Sequence, residues 1–254
     1  MMKVSVVTVN YNGGKTLKRT IESILNQTYN SIEYIIIDGK SNDNSIDIIK
    51  SYEEKFKRKN YEYKWISEED TGIYNAMNKG IKLATGEIIG ILNSDDWYEK
   101  DTVNLVVNEF KKEDLKMVYG LLRTVEDNKF KNILGEYDCF GRCLHPTVFL
   151  KKEIYEKYGY FNEKYKIAAD IDLLFRFESK NVKCKFIEKI LANFSLEGVS
   201  TLNKVETKME SLEIEYNYGI ISKYKKNRRK IQLVVTNLKY FISKKIKNLY
   251  FHKI

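Results

Sequence analysis

The feature that most constrains the fold is the alternation of short β-rich runs with amphipathic helical stretches over the first 120 residues. Two of the β-rich runs, EYIIIDG and EIIGILNSDD, are almost continuously apolar, as strands covered on both faces are. Such alternation favours an α/β fold with a mostly parallel sheet flanked by helices. The predicted strands are Lys3–Asn10, Glu33–Asp38, Tyr61–Ser67 and Ile88–Leu92, and the predicted helices are Thr16–Gln27, Ser45–Lys57, Ile73–Ala84 and Asp101–Lys111.

The alternation ends after residue 120. Residues 116 to 150 are typical of hairpins, with turns at Asp127–Asn128 and near Gly141. The remaining predicted elements are a strand at Thr147–Leu150, helices at Lys151–Tyr158 and Ala169–Lys180, and strands within Lys183–Phe194. We therefore predict a catalytic domain over residues 1–205 and a helical C-terminal extension over residues 206–254.

Polar clusters follow each of the four predicted parallel strands. In open sheets of this kind, ligands bind just beyond the carboxyl ends of the strands. We therefore expect these clusters to meet at one edge of the sheet and to form a ligand site there. The clusters are Asn10–Gly14, Asp38–Ser41, Glu68–Asp70 and Asn93–Asp96.

The adjacent carboxylates Asp95 and Asp96 are the strongest chemical signal in these clusters. Two like charges side by side raise at least one pKa unless a cation neutralises them or water solvates them. Carboxylate oxygens at the end of a buried strand suit a hard divalent ion such as Mn or Mg. The alternative is a turn or helix cap, because Asp96 and Asp101 both precede a predicted helix. The three neighbouring polar clusters favour the metal site.

Four stretches together resemble the signatures of family 2 glycosyltransferases, and they occur in that family's order and spacing. The resemblance spans roughly residues 3 to 200. It implies a GT-A fold, a nucleotide-sugar donor and inversion at the anomeric carbon. The four stretches are VSVVTVNYNGGKTLKRTIESILNQTY, EYIIIDGKSND, EEDTGIYNAMNKGIKLATGEIIGILNSDDWY and AADIDLLFR.

The resemblance also implies roles for residues on the nucleotide side of the site. Val9 and Tyr11 would border the nucleobase, and Asp38 would accept a hydrogen bond from it. Asp70 and the segment from Gly72 to Gly80 would line the nucleotide pocket.

The Asp95–Asp96 pair matches the family's metal-binding carboxylates. Asp95 would lie nearer the ribose and Asp96 would bond the ion directly. Asn93 occupies a position where many relatives have a further Asp, so the site carries less negative charge. We expect a modest metal affinity that depends on the donor diphosphate.

Inverting transfer needs a base that takes the proton from the acceptor hydroxyl. Asp170 and Asp172 are the candidates, and on a helix they point about 200 degrees apart. Arg176 lies four residues after Asp172, a spacing suited to an ion pair. Two alanines precede Asp170, so we assign Asp170 as the base, as the family pattern also implies. The alternative is that both acids are structural, because negative side chains in the first turn of a helix are stabilised by its dipole.

Two further features stay open at the level of sequence. His145, held extended before Pro146, is either a contact to the donor phosphate or metal, or a packed turn residue. Residues 221–254 contain eleven Lys or Arg and no Asp or Glu, which leaves 33 basic and 35 acidic residues in the first 220. Residues 223–254 predict an amphipathic helix that either lies on an anionic membrane or packs on the domain.

The sequence therefore predicts a metal-dependent, inverting glycosyltransferase. We expect a UDP-sugar as donor and a glycan or lipid-linked acceptor in cell-surface polysaccharide synthesis. We expect a cytoplasmic protein, peripheral at the inner face of the membrane if the basic segment binds lipid, and no nucleic-acid partner. The alternatives are a sugar-nucleotide-forming nucleotidyltransferase and a nucleic-acid-binding protein acting through the basic segment.

Overall fold

The computed structural model describes residues 1–135, 144–198 and 203–236. Its first half is the predicted α/β arrangement with four parallel strands. The strands are β1 (Val4–Asn10), β2 (Ile32–Asp38), β3 (Glu62–Ser67) and β4 (Ile88–Asn93). Their spatial order is β3-β2-β1-β4. The helices between them are α1 (Leu17–Leu25), α2 (Ser45–Ser51), α3 (Glu53–Arg58) and α4 (Ile73–Leu83).

The register of the parallel strands aligns their carboxyl ends. Asn10 is paired with Asp38, and Asp38 is paired in turn with Ser67. On the other side of β1, Val9 is paired with Asn93. The polar clusters that follow these strands therefore start from one edge of the sheet, as the sequence predicts.

The second half of the domain extends the same sheet. The additional strands are β5 (Trp97–Tyr98), β6 (Met117–Glu126), β7 (Lys129–Leu134), β8 (Phe149–Lys151) and β9 (Cys184–Ser195). They continue the sheet in the order β4-β8-β6-β9-β5, and β7 pairs with β6. β8 runs antiparallel to β4, so the sheet is mixed beyond that point. The additional helices are α5 (Thr102–Lys112), a 3-10 turn at His145–Thr147, α6 (Lys152–Tyr158) and α7 (Ala169–Glu178).

The element bounds differ from the predictions at a few places. The predicted helix Ser45–Lys57 is two helices that meet at Tyr52. The Tyr52 ring is buried, and its hydroxyl donates a hydrogen bond to Glu22 at 2.8 Å. The strand after Pro146 starts late because a 3-10 turn containing the proline comes first. The hairpin turn at Asp127–Asn128 is confirmed, with both residues at positive φ. The turn predicted near Gly141 lies outside the described residues.

The core lies on both faces of the sheet. Ile35, Ile36 and Ile37 are consecutive along β2 and all are completely buried. Neighbouring side chains on a strand point to opposite faces, so burial of all three requires a covered sheet on both sides. The continuous apolar runs thus have the environment that the sequence predicts. α1 contributes Leu17, Ile21 and Ile24, all buried.

The chain divides into two compact units after Gly198, close to the boundary predicted at residue 205. The described part of the second unit contains two helices, α8 (Lys204–Asn217) and α9 (residues 223–236). Within this unit Glu213 pairs with Lys226 and Lys230 at 3.2 and 2.9 Å. None of the helices in residues 1–135, 144–198 and 203–236 has the length and apolarity needed to cross a membrane. The predicted continuation of the amphipathic helix from residue 237 lies outside the described residues.

Candidate active site

Asp38 ends β2 as a completely buried carboxylate. Its Oδ1 accepts hydrogen bonds from the Asn10 amide at 2.7 Å and the Ser41 hydroxyl at 2.6 Å. Its Oδ2 accepts from the Ser41 backbone N–H at 2.9 Å and the Ser67 hydroxyl at 2.8 Å. A carboxylate has about four acceptor positions, and here four donors of the protein occupy them. Asp38 therefore ties together the ends of β1, β2 and β3, and its predicted contact to a nucleobase stays a prediction.

The remaining residues of the nucleotide side surround Gly39. A Cβ on Gly39 would lie 3.0 Å from Asp70 Oδ2 and 3.4 Å from the Tyr11 ring, so both side chains pack closely beside this glycine. Tyr11 is 70% exposed, and its ring face is free to stack on a planar ligand. Asp70 is paired with Lys79 of α4 at 2.7 Å. Val9, by contrast, is buried in β1.

Gly13 joins this nucleotide side to the acidic pair. A Cβ on Gly13 would lie 2.2 Å from Asn10 Oδ1 and 2.7 Å from Ser94 Oγ. The loop after β1 and the loop after β4 therefore approach each other at a position that excludes any side chain. Asp95 and Asp96 therefore lie on a loop that meets the loop after β1, and Asp38 ends the strand next to β1 at the same edge of the sheet.

Asp95 and Asp96 differ in their environment. Asp96 is completely buried, with Oδ1 accepting from the Ser195 backbone N–H at 3.0 Å and Oδ2 without a hydrogen-bond partner in the protein. Burial and the neighbouring Asp95 charge raise the pKa of Asp96 well above its usual value. Burial also raises the pKa of Asp95, which retains partial exposure. The pair is therefore short of positive charge, the condition that a cation relieves.

Two residues of α1 hold the loop that carries this pair. The Thr20 hydroxyl donates to the carbonyl oxygens of Ser94 and Asp96, at 2.9 and 2.6 Å. The Arg19 guanidinium donates to the Asp95 carbonyl at 3.0 Å and stacks 3.6 Å from the Trp97 ring. Burial lowers the pKa of Arg19, although the charges of Asp96 and Asp95 oppose that shift. Arg19 is a positive charge near the acidic pair, but it bonds the Asp95 backbone and leaves Asp96 Oδ2 unpartnered.

The residues at this position fit a hard divalent ion. Asn93 Oδ1 is a second buried oxygen without a hydrogen-bond partner, beside the unpartnered Oδ2 of Asp96. Oxygen ligands from one or two carboxylates, completed by water and substrate phosphates, are the usual set for Mg or Mn. Among the described residues, no group of three or more His, Cys, Asp or Glu side chains forms a metal cluster.

The predicted base lies at the start of α7. Asp170 Oδ1 accepts a hydrogen bond from the Tyr74 hydroxyl of α4 at 3.3 Å. Asp172 points elsewhere and forms the predicted ion pair with Arg176, whose guanidinium also donates to the Tyr160 carbonyl at 2.7 Å. The structure thus separates the two acids as their helical spacing predicts, and the catalytic role of Asp170 stays a prediction.

His145 is a packed turn residue in this structure. It is buried in the 3-10 turn, and its ring contacts Phe161 edge-on with centroids 5.3 Å apart. Burial lowers the pKa of His145 to about 4, so the imidazole is neutral at pH 7. Tyr98 is likewise a core residue that packs on Phe149, whereas Trp97 stacks with Arg19.

Sequence reasoning did not identify Arg19, Thr20 or Ser195 as site residues, and it included Tyr74 only within the segment from Gly72 to Gly80. Arg19 and Thr20 lie within a helix whose apolar period dominates the pattern, and Ser195 is 99 residues from the carboxylate it contacts. A polar Thr20 on the buried face of α1 was a usable signal, because a buried hydroxyl needs a partner. Only the three-dimensional contacts identify Arg19, Ser195 and the contact of Tyr74 with Asp170.

Comparisons with known proteins identify the family of the chain. The sequence profile described as "Glycosyl transferase family 2" matches residues 5–178. The chain belongs to this family. Chondroitin synthase of Escherichia coli is 31% identical over 220 residues, which cover 82% of this chain and 31% of the relative. An uncharacterized glycosyltransferase of Nostoc sp. is 35% identical over 127 residues, covering 50% of this chain and 38% of that relative. The chain thus spans only about a third of the length of these relatives.

Solved structures show the same fold at low sequence identity. S. aureus TarS 1-349 in complex with UDP-GlcNAc matches with a TM-score of 0.69 and 17% identity, covering 92% of this chain and 72% of that one. The mannosyltransferase PcManGT of Pyrobaculum calidifontis, in complex with GDP-Man and Mn2+, matches with a TM-score of 0.70 and 15% identity, covering 87% and 65%. The fold is the GT-A fold predicted from the sequence, with a helical C-terminal part.

Proposed function

We propose that this chain transfers a sugar from a UDP-sugar to a hydroxyl of a glycan or lipid-linked acceptor, with inversion at the anomeric carbon. The observation that carries the proposal is the buried, uncompensated Asp95–Asp96 pair with an unpartnered Oδ2 on Asp96. It lies at the sheet edge where the loops after the parallel strands meet. A site of this kind suits a ligand that brings both a cation and a phosphate.

The nucleotide side of the donor lies against the exposed Tyr11 ring in this proposal, and that ring stacks on the base. Asp70, fixed by Lys79, lies close to the same ring beside Gly39. Asp38 acts here by fixing the ends of β1, β2 and β3, since four internal donors fill its acceptor positions. UDP is the leading nucleotide because structures similar to this fold bind UDP and UDP-GlcNAc.

Asp95, Asp96 and the Asn93 amide oxygen are the groups that would hold Mn or Mg. When bound, the ion neutralises the charge that develops on the diphosphate leaving group. We propose that Asp96 would bond the ion directly through its unpartnered Oδ2, and that Asp95, the carboxylate that keeps partial solvent exposure, would lie nearer the ribose. With Asn93 in place of an acid, the donor diphosphate would supply the remaining oxygen ligands.

Asp170 completes the reaction as the general base. The acceptor hydroxyl oxygen attacks the anomeric carbon, and its proton passes to the Asp170 carboxylate. The bond between the anomeric carbon and the phosphate oxygen breaks on the opposite face, and its electron pair leaves with the nucleoside diphosphate. No covalent intermediate forms on the protein, so one carboxylate suffices for the proton transfer.

The basic second unit supports an acceptor at an anionic surface. In α9, Lys223, Lys225 and Arg228 are exposed, whereas Lys226, Arg229 and Lys230 pair with the acids Glu213 and Glu215 of α8. Exposed apolar side chains of α9, Ile231, Val234 and Val235, lie on the remaining surface. An apolar surface flanked by basic residues suits the headgroup region of an anionic membrane. Co-flotation with phosphatidylglycerol vesicles, but not with neutral ones, is the expected result.

A panel of nucleotide-sugars tests the proposed transfer. We expect release of nucleotide from one donor, dependent on Mn2+ or Mg2+, and we expect Asp170→Asn to abolish it. Glu156→Gln is a control that changes an exposed acid of α6. Substantial turnover by the Asp170→Asn variant would show that another group takes the proton.

A further inference from the structure

Tyr74 is a buried tyrosine that contacts the proposed base from another helix. It lies near the start of α4, directly after the loop that carries Asp70. Its ring is almost completely buried and stacks on Phe161 with centroids 5.3 Å apart. Its hydroxyl donates to Asp170 Oδ1 at 3.3 Å. Buried polar groups are nearly always hydrogen-bonded, and here the partner of the Tyr74 hydroxyl is the carboxylate of the proposed base.

The Tyr74 oxygen also lies at the N-terminus of α7. Ala168, the N-cap residue of this helix, has no side chain that can cap it, and no side-chain cap bond forms. The Tyr74 hydroxyl reaches this first turn through its hydrogen bond to Asp170, the second residue of α7.

Neighbouring residues of α4 fix the segment that leads into α7. The Asn78 amide donates to the Phe161 carbonyl at 3.0 Å and its oxygen accepts from the Phe161 N–H at 3.0 Å. Asn75 and Asn78 also donate to Glu163, at 3.1 and 2.9 Å. α4 therefore holds the approach to α7 at several points, and Tyr74 is the one that reaches Asp170.

We propose that Tyr74 is a positioning residue that fixes the carboxylate of Asp170, and with it the first turn of α7, for proton transfer from the acceptor. The inference rests on the proposed function, because it takes Asp170 as the base. Helix α4 would then contact both sides of the site, because Tyr74 bonds the proposed base and Lys79 pairs with Asp70 on the nucleotide side.

The chemistry of Tyr74 suits a donor that stays protonated. Burial and the Asp170 charge raise its pKa well above the usual value, so the phenol remains neutral throughout the reaction. A neutral donor on one carboxylate oxygen fixes the orientation of the group without forming a tight ion pair that would weaken it as a base.

Three variants separate the hydroxyl from the ring. Tyr74→Phe keeps the stacking on Phe161 and removes only the oxygen, whereas Tyr74→Leu removes the ring as well. Tyr155→Phe is the matched control, because Tyr155 is buried and its ring also lies near Phe161, with centroids 6.4 Å apart. Nucleotide release is measured with UDP-GlcNAc and GDP-mannose as donor probes, and UDP binding is measured by calorimetry.

We expect Tyr74→Phe to lower kcat by about tenfold, the order of effect of a hydrogen bond to a charged group. The KM for the donor and the UDP affinity should change by less than about twofold, because the nucleotide contacts lie elsewhere. Tyr74→Leu should lose at least as much kcat as Tyr74→Phe, and Tyr155→Phe should retain wild-type kcat.

The outcomes distinguish this inference from the proposed function. If Asp170→Asn is inactive but Tyr74→Phe has wild-type kcat, the base stands and the role of the Tyr74 hydroxyl is overturned. An equal rise in KM and fall in UDP affinity for Tyr74→Phe would also overturn it, because that pattern reports a general disturbance of the site. If Asp170→Asn stays active, or the wild type uses no donor, the proposed function fails and this inference fails with it.

Discussion

Replacing Glu33 with Gln should destabilise the protein, because it removes a buried negative charge that accepts several hydrogen bonds. Glu33, at the start of β2, has a completely buried side chain. Its carboxylate accepts from Lys64 at 2.6 Å and from the Thr85 N–H and hydroxyl at 2.7 and 2.9 Å. The Ser5 hydroxyl also donates to it, and Lys3 lies 3.8 Å away.

The size of the effect follows from the pKa of Glu33. Burial alone would raise this pKa, but the hydrogen bonds from Lys64, Ser5 and Thr85 outweigh burial and lower the pKa from 4.5 to about 2. One pKa unit corresponds to about 1.4 kcal/mol, so this difference corresponds to about 3 kcal/mol. Lys64 is half-exposed, and solvent screens its charge, so we expect about 1 to 3 kcal/mol. In the variant, the glutamine NH2 also faces the Thr85 and Ser5 donors, which adds a cost that does not depend on pH.

The pH dependence gives the sign of the effect. Because the folded-state pKa is depressed, the ionised carboxylate contributes stability above pH 4.5, and that contribution is lost as the pH falls from about 4.5 to about 2. The difference in unfolding free energy between wild type and Glu33→Gln should therefore shrink over this window. Urea unfolding at several pH values, followed by the fluorescence of Trp65 and Trp97, measures that difference.

Glu62→Gln is the matched control for this experiment. Glu62 contacts the same lysines, Lys3 and Lys64, but its side chain is 53% exposed. Exposed ion pairs contribute little, so the control should lose less than about 1 kcal/mol at pH 7. Equal losses in both variants, or a Glu33→Gln difference that does not change between pH 5 and pH 2.5, would refute the reasoning.

Three further predictions test other parts of the structure. Tyr98→Phe should keep or raise stability by up to about 1 kcal/mol in thermal unfolding, because the buried Tyr98 hydroxyl has no partner; a loss above 1 kcal/mol would contradict this. Gly13→Ala should lower UDP affinity by about tenfold or more in calorimetry, because its Cβ would lie 2.2 Å from Asn10 Oδ1 and 2.7 Å from Ser94 Oγ; unchanged affinity would show that these loops do not form the site. Arg19→Met should destabilise the protein by about 1 to 3 kcal/mol in urea unfolding, because the bond to the Asp95 carbonyl and the cation–π contact with Trp97 are lost; unchanged stability would show that Arg19 does not hold this loop.

The central sheet could be predicted from the sequence because its signal is local. Runs such as Ile35–Ile37 must be buried on both faces of the sheet, and the helices between the strands bury them. This connection makes the strands parallel, so their polar carboxyl ends lie at one edge. The Asp172–Arg176 ion pair was predictable for the same reason, since helical spacing alone brings the two residues together.

The internal environment of the acids could not be predicted, because it depends on contacts between distant segments. Asp96 is buried by the end of β9, and the four donors on Asp38 come from three different strand ends and loops. The two-residue β5 was missed because so short a strand has no period of its own. Tyr74 was part of a quoted motif, but its contact with Asp170 spans 96 residues.

Titration of UDP into the protein with and without Mn2+ tests whether Asp95 and Asp96 hold a divalent ion against a diphosphate. We expect Mn2+ to raise UDP affinity by about tenfold or more in the wild type, and we expect Asp95→Asn to remove this gain while the variant remains folded. Equal UDP affinity in Mn2+ and in EDTA, or a Mn2+ effect that persists in Asp95→Asn, would contradict the claim.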